Sequence, residues 1–134
     1  MLYNIVTGHG VDKVDRAEIV VLASKIASVR KARAQVVFTD RHAYLQTATY
    51  FNDEADLQGL AWDRWQNRDF KRRSADDVEM ERYQAETLVH AHVPIDALVG
   101  IACYDERSKT TLEAEIASRG LTLKVQIKAE WLFA

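Results

Sequence analysis

Glu81-Arg82-Tyr83-Gln84-Ala85-Glu86-Thr87-Leu88-Val89 is the stretch on which the reading of this chain turns. Here a highly charged segment gives way to an apolar run. Glu86 is the last acidic residue before Leu88, Val89, Val93 and Pro94, which places it at the mouth of a buried strand. A carboxylate at the edge of a core costs desolvation energy unless it is paired or used. The residues alone admit two readings of Glu86: a solvated glutamate at a strand start, or a carboxylate set there for chemistry.

Beyond Glu86 the pattern predicts a strand from Thr87 to His92. Alternate strand residues share a face, so His90 and His92 would lie on one side. A zinc site needs a third protein ligand, and there is no Cys/His cluster with the spacing of a finger or a protease. No metal site is therefore expected. Pro94 to Ala97 reads as a turn, and Leu98 to Tyr104 as a core strand. Asp105 caps a charged helix, Glu106 to Arg119, with Leu112 and Ile116 inward and Gly120 as its stop. Leu121 to Ile127 alternates as an antiparallel or edge strand.

Upstream of Glu86 the composition reverses sign twice. Asp53, Glu54 and Asp56 are acidic, the run Trp62 to Arg73 is basic with aromatics interleaved, and Asp76, Asp77, Glu79 and Glu81 are acidic again. The segment is expected to be helical in pieces, broken near Asn67 and Ser74. Cations for phosphates and flat rings for stacking are what a single-stranded nucleic-acid groove requires. Trp62, Arg64, Trp65, Arg68, Lys71, Arg72 and Arg73 are the candidates. The same run also reads as an amphipathic helix whose tryptophans anchor it to a core while its arginines are solvated.

Toward the N-terminus, Leu2 to Val6 is a β-prone run and Glu18 to Ala23 a buried strand. Ser24 offers a cap for a helix burying Ile26 and Val29. Gln35 to Phe38 is a second core strand, and Thr39-Asp40 offers an N-cap for a helix from Arg41 to about Phe51. His42 falls in that helix's first turn, where the dipole disfavours the imidazolium. The sum is a mixed α+β domain of five or six strands, without internal repeats or linkers.

With 134 residues the chain suits one domain, residues 1–134, with enough apolar content for a core. The net charge of −2 gives no global signature of nucleic-acid binding, so any such site is a local patch. The single cysteine, Cys103, excludes an internal disulfide and reads as a small buried apolar residue. No segment reaches the roughly 20 apolar residues of a membrane span, and Met1 to Ile5 lacks the features of a signal peptide. A cytoplasmic location is expected.

Four stretches together resemble the DarT family of DNA ADP-ribosyltransferase toxins. They are Met1-Leu2-Tyr3 with Thr7-Gly8-His9; Val37-Phe38-Thr39-Asp40-Arg41-His42-Ala43; Arg82-Tyr83-Gln84-Ala85-Glu86 with Leu88-Val89; and Val125 through Trp131-Leu132-Phe133. They occur in the family's order, and the middle two are the specific ones. The resemblance implies an ADP-ribosyltransferase fold: a split, mainly antiparallel sheet with flanking helices around an NAD cleft. It implies transfer of ADP-ribose from NAD to a base of single-stranded DNA. An antitoxin that reverses the modification is the implied partner. Glu86 matches the family's catalytic glutamate, and His42 the histidine of its Phe-Thr-Asp-Gly-His-Ala motif, where Arg41 stands in place of the glycine. The segment from Asp53 to Arg82 matches the element that contacts DNA. Arg82 is a candidate partner for phosphate of DNA or cofactor. Family members carry a front half before the Met-Leu-Tyr stretch, so the resemblance implies a C-terminal portion with the N-terminal strands missing. On the residues alone, a non-enzymatic nucleic-acid-binding module and an inactive remnant remain as alternatives.

Overall fold

A computed structural model of the chain describes residues 2–32, 34–67 and 78–133, the side chains of Arg64, Val78 and Glu79 excepted. It divides into two compact units. One comprises residues 1–32 together with 94–134, and the other, residues 33–93, is inserted in its sequence.

The first unit opens with helix α1, Leu2–Thr7, which buries Val6. The sequence pattern predicts a strand there. Gly8, at a positive φ of 76°, instead lets the Gly8 and His9 amides both return to the Asn4 carbonyl, closing a helical turn. A turn at Arg16–Glu18 leads to strand β1, Val21–Ser24. This strand is shorter than expected and only half-buried, because it lies at a sheet edge with Leu22 57% exposed. Helix α2, Ile26–Lys31, follows and buries Val29. Ser24 does not cap it. Its hydroxyl donates to the Ala97 carbonyl at 2.6 Å, and Lys25 occupies the cap position without a side-chain bond.

The other half of this unit contributes β5, Leu98–Cys103, helix α5, Glu106–Ser118, and β6, Val125–Ile127. β5 is central, antiparallel to β1 (Val21 opposite Ala102) and parallel to β6 (Ile101 opposite Val125). The edge position expected for β6 holds, but its pairing is parallel, because α5 carries the chain from the end of β5 back to its start. The Asp105 carboxylate caps α5 by accepting the Ser108 amide at 2.8 Å, and Gly120 stops it at φ 64°. Ala97, Ala102, Cys103, Val125 and Leu132 form the core with Val6 and Val29. Cys103 is fully buried, as expected, and burial pushes its thiol pKa up.

Gly100 marks the tightest approach in this sheet. A Cβ there would meet the Lys124 backbone carbonyl at 2.9 Å, the same oxygen that accepts the Ile101 amide. Gly100→Ala is expected to destabilise the protein by about 1–3 kcal/mol, since a backbone atom cannot move aside cheaply. A urea midpoint indistinguishable from wild type would show that β6 gives way.

The second unit holds β2, Val36–Thr39, between β3, Tyr50–Phe51, and β4, Thr87–Val89, both antiparallel to it. Phe38 is its buried centre, against Phe51 at 5.8 Å between ring centroids. Two short helices, α3 (Trp62–Gln66) and α4 (Val78–Glu81), lie between β3 and β4 in sequence. The expected break at Asn67 is the C-cap of α3; that at Ser74 lies outside the described residues. β4 ends at Val89, earlier than expected. Ala91 takes a positive φ of 62° and the His92 amide turns back to the His90 carbonyl at 2.8 Å, so the two histidines do not share a strand face.

The α+β class is observed, with three antiparallel strand pairings and one parallel among the described residues. Among those residues no helix is long and apolar enough to cross a membrane.

Candidate active site

The site is built where β2 ends and β4 begins. Thr39, the last residue of β2, is buried, and its backbone amide donates to the Glu86 carbonyl at 2.9 Å. The Glu86 amide in turn donates to the Thr39 hydroxyl at 3.1 Å, and that hydroxyl donates to the Arg41 carbonyl at 2.6 Å. The Glu86 backbone is thus clamped on both sides by one threonine, immediately before the first residue of β4.

From Asp40 to Thr49 the chain forms a loop, not the expected helix. The Asp40 side chain explains the difference. Its carboxylate accepts the Thr49 amide at 2.8 Å, and its own amide donates to the Thr49 carbonyl at 3.3 Å, closing the segment on itself instead of capping a helix. With no helix, no helix dipole acts on His42.

This loop delivers two groups to the Glu86 side chain. The Ala43 amide donates to Glu86 Oε2 at 2.8 Å, and His42 Nδ1 lies 3.4 Å from the same oxygen. His42 Nδ1 is also 3.3 Å from the Tyr44 amide. One ring nitrogen serves only one of these at a time: bare, it accepts the Tyr44 N–H; protonated, it donates to the carboxylate. The Tyr50 hydroxyl donates to the Ala43 carbonyl, fixing the other side of the Ala43 residue. Glu86 is nevertheless 36% exposed and His42 47%, so an oriented carboxylate and an imidazole are both reachable from solvent.

Beneath them lies a buried arginine. Arg41, with a side chain 10% exposed, grips Asp40 in a fork, Nε to Oδ1 at 3.3 Å and Nη2 to Oδ2 at 3.0 Å. Its Nη1 reaches Glu81 Oε2 at 2.9 Å and the Thr47 hydroxyl at 3.4 Å. Burial pushes the Asp40 pKa up, but hydrogen bonds from Arg41 and the Thr49 amide, with attraction to Arg41 and Arg82, bring it below the ordinary carboxylate value. A depressed carboxyl stabilises the fold above its unfolded pKa of about 3.9, and that contribution disappears as pH falls through the folded value. Stability is therefore expected to decline on acidification below about pH 4, and more shallowly in Asp40→Asn. Parallel pH profiles of the two proteins in urea denaturation would count against this assignment.

The structure thus brings Glu86 and His42 together. Arg82 sits in the turn Arg82–Gln84, half-buried, with its charge acting on Asp40. Trp62 and Trp65 pair edge-to-face at 4.8 Å; the Trp62 ring is 44% exposed with its N–H on the Leu57 carbonyl at 2.6 Å, whereas Trp65 is more covered. Arg68, Lys71, Arg72 and Arg73 lie outside the described residues, as does the side chain of Arg64. Thr39, the Ala43 amide and Tyr50 are contributors that sequence reasoning missed. Arg41 stands out in sequence only as a replacement for glycine. Its packing role has no local signature.

Against known proteins, the family described as DarT, ssDNA thymidine ADP-ribosyltransferase, matches residues 1–133. A DNA ADP-ribosyl transferase of Escherichia coli O127:H6 is 38% identical over all of this chain and 62% of its own length. Among solved structures, Thermus sp. 2.9 DarT in complex with NAD+ superposes with a TM-score of 0.81 at 29% identity, covering 97% of this chain and 65% of that one. The same protein in complex with ADP-ribosylated ssDNA gives a TM-score of 0.80 at 28% identity, covering 97% and 62%. The chain therefore spans less than two thirds of the length of these relatives.

Proposed function

This chain belongs to the DarT family of ssDNA thymidine ADP-ribosyltransferases, and from that premise we propose that it carries the catalytic carboxylate for moving ADP-ribose from NAD to a thymidine base in single-stranded DNA. The names of its relatives support the reaction, and the NAD+ and ADP-ribosylated ssDNA complexes of the Thermus protein support the two substrates. The observation that carries the reading is Glu86, with one carboxylate oxygen held by the Ala43 amide while the side chain stays open to solvent.

The residues present fit such chemistry. Bound NAD would supply the ADP-ribosyl group as its bond to nicotinamide breaks. The Glu86 carboxylate, negative and fixed in position, stabilises the positive charge that develops on the ribose carbon. As the base nitrogen bonds to that carbon, Glu86 accepts the proton the nitrogen loses. Nicotinamide leaves neutral, so charge and proton both balance. His42, beside Glu86, is proposed to hydrogen-bond the cofactor, and Arg82 to pair with phosphate. Trp62 and Trp65 supply rings for base stacking, and Arg64, Arg68, Lys71, Arg72 and Arg73 cations for the DNA backbone. Residues 1–134 act as part of a single ADP-ribosyltransferase domain in the cytoplasm, countered by an antitoxin that removes the modification.

The test is transfer of label from NAD to thymidine-containing single-stranded oligonucleotides, by the chain alone and with the remaining part of the Escherichia coli relative supplied. Transfer that disappears in Glu86→Ala supports the reading. No transfer under either condition, or transfer that survives the substitution, overturns it.

A further inference from the structure

Resting on the function proposed above, we infer that Arg41 is a positioning residue for Glu86: its guanidinium latches the 40–49 loop to Glu81, and so holds the Ala43 amide and His42 against the carboxylate. Four observations meet on this residue. It is nearly buried, yet it has a hydrogen-bonding group on each side. Its fork takes both oxygens of Asp40, whose carboxylate also holds the Thr49 amide and thereby closes the loop. Its far nitrogen takes Glu81, at the end of α4, from which the chain runs through one short turn into Glu86. Its backbone carbonyl receives the hydroxyl of Thr39, the same oxygen that accepts the Glu86 amide.

These contacts form one ring. Arg41 joins the loop that orients the carboxylate to the segment that carries it, so neither can shift alone. The planar guanidinium is suited to this, because it satisfies two carboxylates and a hydroxyl in fixed directions; a lysine ammonium presents a single mobile point charge. The Arg41 side chain is only 10% exposed, and it contacts Asp40, Thr47 and Glu81. Its contribution to catalysis runs through the Ala43 amide, which lies two residues along the same loop and makes the shortest contact to Glu86 Oε2.

The experiment compares wild type with Arg41→Met, which keeps the bulk without the charge, and Arg41→Lys, which keeps the charge without the fork. Rates are measured at a temperature where circular dichroism shows each protein folded. A positioning role lowers kcat by about 10- to 100-fold in Arg41→Met, with KM for NAD and for the oligonucleotide within about twofold. Arg41→Lys falls between. In a Glu86→Ala background Arg41→Met causes no further loss. A role in folding alone lowers the melting temperature and leaves kcat of the folded protein unchanged, which overturns the inference. Amide hydrogen exchange at Ala43, read without NAD or DNA, gives a measure independent of activity. Its protection is expected to drop about tenfold in both Arg41→Met and Glu86→Ala. Unchanged protection in folded Arg41→Met also overturns the inference. If wild type transfers no label while Ala43 loses protection in Arg41→Met, the latch stands and the proposed reaction fails.

Discussion

Glu86→Gln is expected to lower ADP-ribose transfer by about 10³-fold, with melting within a few degrees of wild type. The amide is nearly isosteric, and its oxygen still accepts the Ala43 N–H that holds Glu86 Oε2 at 2.8 Å. What disappears is the negative charge facing the ribose carbon and the capacity to take a proton from the base. Together they are worth about 4 kcal/mol in the transition state, the equivalent of that thousandfold. Glu86→Asp keeps the charge but draws it back by one methylene, about 1 Å, away from the Ala43 amide; a loss of about 10²-fold is expected. Initial rates with labelled NAD distinguish the three proteins. A glutamine variant within tenfold of wild type would remove Glu86 from the chemistry, whatever its position.

Thr39→Val tests the clamp beneath it. Valine has the shape of threonine, so local packing is preserved and the change isolates the hydroxyl. That hydroxyl accepts the part-buried Glu86 amide at 3.1 Å and donates to the Arg41 carbonyl at 2.6 Å. Without it a donor and an acceptor are left without these partners in a site where Thr39 is almost fully covered. At about 1–3 kcal/mol for each unmet group, a loss of about 2–6 kcal/mol is expected, a large share of a stability of typically 5–15 kcal/mol. Activity should fall along with it, because the Glu86 backbone loses one of its two ties to β2. Thr39→Ser keeps the hydroxyl and should stay within about 1.5 kcal/mol of wild type. Urea denaturation gives the comparison; equal midpoints for the serine and valine variants would refute the clamp.

The parts of this fold legible from sequence are those whose signal is local. Asp105 before Glu106 and Gly120 after Arg119 bracket α5 because a cap and a left-handed stop each act over a few residues. The apolar run Leu98 to Tyr104 reads as a strand, and β5 ends one residue earlier, at Cys103; a strand centred between two neighbours is apolar along much of its length. The failures arise where distant groups decide. Thr39-Asp40 has the composition of a helix cap, but Asp40 is taken by Arg41 and Thr49, and the helix expected over 41–51 gives way to a loop. Leu2 to Val6 has strand composition, and the glycine that turns it helical stands just outside the run. In the site, Glu86 and His42 are legible because their side chains belong to recognisable motifs. The Ala43 amide is not, since every residue except proline carries one. Arg41 is read as a departure from a motif, and only three-dimensional contacts reveal what its guanidinium grips.

The insertion of residues 33–93 within the other unit bears on the order in which a ribosome can hand this chain over to folding. Val21–Ser24 leaves the exit tunnel early, yet its strand partner among the described residues, Leu98–Cys103, is synthesised after the whole insertion. The inserted unit contains every strand partner it needs and can close while translation continues. During that interval β1 has two open edges and an outward Leu22, the features by which strands recruit one another between molecules. β1 stays unpaired until Leu98–Cys103 has itself cleared the tunnel, so slowing synthesis within that window is expected to prolong the most aggregation-prone stage of the nascent chain.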